Sequence, residues 1–183
     1  SWKDLKLSAV IGSALLICTF ASAQTNFGFG QETINITGAN FWGETYFASK
    51  SPQNTLNFTD HAYTVSSDVF MGTGDFSYTN QINVIEGSKW IILSNLQVGA
   101  ENNYYNSIVV DGSDRSVDDL MWFTNPELSA ELVDTLITNK NVTMLVVDGD
   151  MIAGGSGNDN KNKVSVQNNG FLWLSGSTTN DPV

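Results

Sequence analysis

The chain has 183 residues, 41% of them hydrophobic, and a formal net charge of −11. That length predicts one domain, large enough to bury a core without cross-links. The acidic balance, with Arg115 the only arginine, excludes nucleic acid and anionic membranes as partners, since both require clustered Lys and Arg.

Residues 1–23 read as a secretory signal peptide. Lys3 and Lys6 form a short basic region, Leu7 to Phe20 is uncharged and apolar, and Ala21-Ser22-Ala23 is a small-x-small cleavage site. A membrane anchor is the competing reading, but the apolar stretch is 14 residues and a spanning helix needs roughly 20. Cys18 follows the bulky Ile17, where a lipoprotein signal wants a small residue. The mature chain, starting at Gln24, has 160 residues, no cysteine and no membrane-spanning segment. It therefore cannot rely on disulfides, which fits a bacterial surface. Asn35-Ile36-Thr37, Asn57-Phe58-Thr59 and Asn141-Val142-Thr143 have the form of glycosylation sequons, incidental in that setting.

Twenty Asn and sixteen Gly stand against three Pro, with β-branched and aromatic residues between them. This is a strand-and-turn composition, too apolar for disorder. Residues 24–68 are rich in aromatics (Phe27, Phe29, Phe41, Trp42, Tyr46, Phe47) and are expected to form an N-terminal cap. From residue 69 to 183 a repeat of about 27 residues is read. Each copy has an apolar residue and Gly, a polar loop, two apolar residues two apart, and a second Gly. The copies are Met71-Gly72 with Ile82, Val84 and Gly87; Val98-Gly99 with Ile108, Val110 and Gly112; and Ala153-Gly154 with Val164, Val166 and Gly170. Glycines 72, 99 and 154 are 27 and 55 residues apart, so a degenerate copy is expected between the second and third. Trp90 and Trp173 fall in strands read as equivalent.

A unit of this kind buries its apolar face only by stacking on its neighbours. The expected fold is all-β, a right-handed parallel β-helix (β-solenoid), with Ile82, Val84, Ile108, Val110, Val164 and Val166 pointing inward. Asn at equivalent turns would stack into amide ladders. A β-sandwich of regular hairpins is the alternative. One short helix is predicted near 126–138, with Asn125 as cap, Pro126 at its first position, and Leu128, Leu132 and Leu136 on one face.

Residues 145 to 176 (LVVDGDMIAGGSGNDNKNKVSVQNNGFLWLSG) resemble the repeats of PEP-CTERM and autotransporter (type V secretion) associated bacterial surface proteins. The match is best at Val147 to Gly154 and Val164-Ser165-Val166, and looser over 69 to 112. The resemblance implies a secreted or surface-anchored β-solenoid without enzymatic activity. The chain carries neither a PEP sorting signal nor an autotransporter barrel, and it is expected to be a segment of a longer protein.

Four sets of residues bear on chemistry. Gly154 to Asp159 matches the first six positions of the nonapeptide that binds calcium in RTX β-rolls, but Lys161 stands where an apolar residue is needed. Asp111, Asp114, Asp118 and Asp119 surround Arg115, which reads as a lyase-like calcium cluster or as a solvated acidic loop. His61 is the only histidine and has no nucleophile-elbow motif beside it. Trp42, Trp90, Trp122 and Trp173 would stack on sugars if exposed, or on the core if not. No catalytic, cofactor-binding or metal residue is assigned, and no cofactor is expected, calcium being the one cation considered. The expected function is that of a non-enzymatic, secreted or surface-exposed, adhesin-like or autotransporter-passenger-like segment whose partner is a surface glycan or a protein. The alternatives are a carbohydrate-active β-helix enzyme and a calcium-stabilised RTX-like domain.

Overall fold

The computed structural model describes residues 24–100, 103–112, 138–154, 161–176 and 178–180. The expected signal peptide (1–23), most of the expected helix (126–138) and Asp159 lie outside them. The described chain winds through strands of three to five residues, three per turn of the winding. Coil 1 is β1 (Thr25–Phe27), β2 (Thr33–Ile36) and β3 (Ala39–Phe41); coil 2 is β4 (Thr45–Phe47), β5 (Thr55–Phe58) and β6 (Tyr63–Ser66). Coil 3 is β7 (Val69–Met71), β8 (Gln81–Val84) and β9 (Lys89–Ile92); coil 4 is β10 (Leu96–Val98), β11 (Ser107–Asp111) and β12 (Met144–Val147). Coil 5 is β13 (Met151–Ala153), β14 (Lys163–Gln167) and β15 (Phe171–Leu174), and β16 (Thr178–Asn180) begins another.

Each strand pairs in parallel with its equivalents one coil below and above. Sheet A runs β1-β4-β7-β10-β13-β16, sheet B β2-β5-β8-β11-β14, and sheet C β3-β6-β9-β12-β15. The fold is therefore a parallel β-helix. The hairpin sandwich is ruled out, because hairpins would make the neighbours antiparallel.

Inward positions stack into apolar columns. In sheet B, Leu56, Ile82 and Ile108 are in register, as are Phe58, Val84 and Val110, and all six are fully buried. Val164 and Val166 continue these columns. Val166, expected inside, is 43% exposed because β14 is the last strand of sheet B among the described residues. Trp42, Phe58 and Trp90 pack as tilted rings through successive coils, with centroids 5.8 and 4.7 Å apart. The buried Trp90 indole N–H donates to Ser66 Oγ at 2.9 Å, which spares it an unmet donor.

Residues 24–68, expected as a cap, carry the first two coils of these same sheets. Their register steps are shorter, from Thr25 to Thr45 and on to Val69, where later coils step from Val69 to Leu96. The expected degenerate copy is not in the stack either. Strand β11 pairs directly with β14 and β10 with β13, so the long step belongs to one coil whose corner between sheets B and C runs from 112 to 143. Trp90 and Trp173 are not equivalent: Trp90 is in register with Leu145 and Leu172, whereas Trp173 aligns with Val146. Strand side chains alternate, so a one-residue slip moves Trp173 to the outer face of sheet C. There it packs with Ile91, Val146 and Phe171 in a second apolar cluster outside the main core.

The expected amide ladder exists, inside the corner that leads into sheet B. Asn54 donates Nδ2–H to Asn80 Oδ1 at 3.0 Å, and Asn80 does the same to Asn106 Oδ1 at 2.9 Å. Each Oδ1 also accepts the backbone N–H of the Asn one coil below. The Asn106 N–H continues the series to Asn162 Oδ1 at 2.9 Å. Asn54, Asn80 and Asn106 are fully buried, so these bonds are made away from water. The residue ahead of each one is left-handed: Gln53 has φ 58°, Thr79 57° and Tyr105 61°. For an exposed β-branched residue such as Thr79 that conformation is strained. Thr79→Asn, which tolerates it, is expected to raise stability by roughly 1 kcal/mol and Tm by about 2–4 °C in a thermal melt.

Candidate functional site

The residues singled out by sequence divide into three groups. Asp114, Arg115, Asp118, Asp119, Trp122 and Asp159 lie outside the described residues. Trp90 is in the core, Trp42 is half-buried against it, and Trp173 is half-buried on the outer face of sheet C. Asp111 and His61 are on the surface. Asp111 ends β11, and its carboxylate accepts Gln167 Nε2–H at 2.8 Å and Asn168 Nδ2–H at 3.1 Å from the next coil.

His61 sits at the corner between sheets B and C, built as a tight turn. The Ala62 N–H donates to Thr59 O at 3.1 Å, and Asp60 and His61 both have positive φ. Glu86-Gly87 and Asn168-Asn169 repeat this geometry in coils 3 and 5. A cleft of about 260 Å³ beside it is lined by Asp60, His61, Glu86, Gly87 and Asn141. Its hydrogen bonds run between coils: His61 Nδ1 lies 3.1 Å from Lys140 O, and the Glu86 carboxylate accepts the Thr59 hydroxyl and the Asp60 N–H. The Thr59 hydroxyl and then the Asp60 N–H hold the Glu86 carboxyl below its usual range, against an opposing effect of burial. This corner is a coil-to-coil clasp. Among the described residues, no group of three His, Cys, Asp or Glu is placed to hold a metal ion, and no helix is long and apolar enough to cross a membrane.

The arrangement with the most binding character was not singled out by sequence reading. It is an aromatic ledge on the loops between sheets A and B. Tyr78 of coil 3 and Tyr104 of coil 4 stack with centroids 5.5 Å apart and planes 16° from parallel. Tyr105 meets Tyr104 edge-on at 5.5 Å, and Lys161 Nζ lies 5.2 Å from the centre of the Tyr105 ring. Phe76 is 79% exposed, Tyr105 48% and Tyr104 41%. Asp75, Phe76, Tyr78, Asn103 and Tyr104 line an open cleft of about 320 Å³.

Buried polar residues alternate with these rings and hold them in place. The Ser77 hydroxyl donates to Ala48 O one coil below, and Ser77 Oγ accepts Asn80 Nδ2–H at 3.2 Å. The Ser77 carbonyl accepts Asn106 Nδ2–H at 3.2 Å, and the Asn103 carbonyl accepts Asn162 Nδ2–H at 2.7 Å. The amide ladder is thus the footing of the ledge. Tyrosine held this way offers a rigid apolar face and a polar tip at small entropic cost. Left-handed φ at Phe76 (64°), Thr79 and Tyr105 places backbone strain on these same loops. A repeated motif was available in the sequence: Tyr78-Thr79-Asn80 and Tyr104-Tyr105-Asn106 are one coil apart and each precedes a sheet B strand.

The chain matches no family model, no curated protein sequence and no solved structure.

Proposed function

We propose that the protein is an exported, non-enzymatic β-solenoid of the bacterial surface that binds a glycan at the aromatic ledge. The carrying observation is the group of exposed Phe76, Tyr104 and Tyr105 with half-buried Tyr78, fixed across two coils beside Asp75 and Asn103. A pyranose ring presents an apolar C–H face and a polar rim of hydroxyls. Aromatic rings flanked by a carboxylate and an amide answer both. The open cleft is of sugar size, and its walls come from a rigid scaffold, so little ordering is needed on binding.

The neutral oligosaccharide cellohexaose is expected to bind the wild-type protein in titration calorimetry. Tyr104→Ala is expected to weaken it about tenfold or more, the effect of losing one stacked aromatic contact. Tyr104 is exposed, so the variant should keep the wild-type melting behaviour. Unchanged affinity in Tyr104→Ala, or no binding by the wild type, would overturn the reading. Export is supported by the basic, apolar and small-residue order of residues 3–23 and by the absence of cysteine after Ala23. N-terminal sequencing of protein recovered outside the cell should read Gln24 first. Recovery of residues 1–23 on the mature chain would refute cleavage there.

A further inference from the structure

The outer face of sheet B borders the ledge, since Tyr78 and Tyr104 lie just ahead of β8 and β11. This face is unusual for so acidic a chain. Over coils 1 to 3 its outward side chains are Thr33 and Asn35, Thr55 and Asn57, Gln81 and Asn83, in register strand by strand. All six are exposed or half-exposed and none is charged. Coil 4 continues with the uncharged Ser107 and Val109, and charge returns only at its far end, at Asp111, and in coil 5, at Lys163. The chain carries 27 charged residues, so a solvent-facing sheet without one over these positions is not the ordinary solubilising surface.

The face is also ordered before any ligand arrives. Asn57 donates Nδ2–H to Asn35 Oδ1 at 2.9 Å, and Asn83 donates to Asn57 Oδ1 at 2.8 Å, so the outer amides form a ladder of their own. Gln81 Nε2–H is tied to Asn83 Oδ1 at 2.7 Å. Asn57 and Asn83 each use one N–H along the axis, and the planar amide holds the second at an angle to it. Parallel pairing repeats the pattern about every 4.8 Å along the solenoid, and alternate residues repeat it about every 6.7 Å along a strand. The result is a flat lattice of amides and hydroxyls.

We infer that this face, rimmed by the aromatic ledge, receives an extended neutral polysaccharide lying flat across the coils. The inference rests on the glycan reading of the ledge and names its ligand class. A flat lattice suits a ribbon-like chain, the shape given by equatorial β-linkages, with hydroxyls repeating along both edges. A helical or branched glycan would touch one or two rungs only. The net charge of −11 repels anionic polymers such as pectate. Fixed donors hold the sugar hydroxyls without the entropic penalty of ordering loose side chains.

The test uses microcrystalline cellulose as the polymer and cellohexaose as the short probe. Thr55→Lys/Gln81→Lys places charge and bulk on the face while leaving the Asn ladder intact. Gln97→Lys, on the outer face of sheet A, is the control for added charge. The wild type and Gln97→Lys are expected to be depleted from solution by cellulose alike. The double variant should be retained about tenfold more weakly, the effect of losing one or more hydrogen bonds to the polymer, while still binding cellohexaose at the ledge. If the double variant holds cellulose as well as the wild type does, the face is not a binding surface and this inference fails alone. Binding of cellohexaose but not cellulose by the wild type overturns it in the same way. Binding of neither probe overturns this inference and the ledge reading together.

Discussion

Replacing Asn80 by alanine is expected to lower the unfolding free energy by about 3–5 kcal/mol, read from the midpoint of urea unfolding. Asn80 is fully buried and makes four side-chain hydrogen bonds. Its Oδ1 accepts both the N–H and the Nδ2–H of Asn54, and its Nδ2 donates to Ser77 Oγ and Asn106 Oδ1. Alanine removes these at once and strands the buried Asn54 N–H where no bulk water can replace the partner, while Asn54 Nδ2 keeps Ser51 and Pro52 as acceptors. The outer ladder supplies the control. Asn83 also bonds one coil below, but it is half-exposed, so water substitutes and Asn83→Ala is expected to cost under ~1 kcal/mol. Equal losses in the two variants would show that burial does not set the strength of these ladders. Asn80→Ala should also weaken cellohexaose binding, because Ser77 loses its tie and the ledge loosens with it.

Gly72→Ala is expected to cost about 3–4 kcal/mol, from a left-handed backbone that penalises any Cβ and from a steric clash. Gly72 has φ +62°, and an added Cβ would sit 2.6 Å from Asn106 Cγ. Asn106 is held in the ladder and has no room to yield. Gly38 separates the two causes. It is also left-handed, at φ +68°, but an added Cβ meets nothing within 4 Å, so Gly38→Ala should cost only about 1 kcal/mol. A Gly72 variant no worse than the Gly38 variant would remove the close approach to Asn106 from the account.

The same glycine explains why the period was legible in the sequence. Gly72, Gly99 and Gly154 share one column, each with positive φ, at the end of a sheet A strand. Added Cβ atoms at Gly72 and Gly99 would strike ladder asparagines of the next coil, so the sequence must place glycine there. Coil 1 has Gly28 in that column, at φ 78°, but coil 2 has Ala48, itself at φ 52°, and both early steps are shorter, so the first two windings do not show the 27-residue signature. The misaligned tryptophans have a different cause. Lys89 to Ile92 and Met144 to Val147 are buried on both faces, because sheet C packs on the core inside and on a second apolar cluster outside. Strands of that kind lose the two-residue alternation that would reveal register. The ledge was harder to see because its tyrosines stack across two coils, and the Tyr-x-Asn motif they share, at 78–80 and 104–106, occurs only twice.

The corner from 112 to 143 leaves β11 and β12 in register with the strands on both sides. In coil 3 the same junction takes only Ile85 to Ser88. Lengthening a closed loop on that scale costs about 2 kcal/mol of chain entropy, since the penalty grows only as the logarithm of length. The winding is therefore indifferent to what is spliced into this junction, provided the chain re-enters at the right rung. The length of this junction can change while the register of the three sheets stays constant.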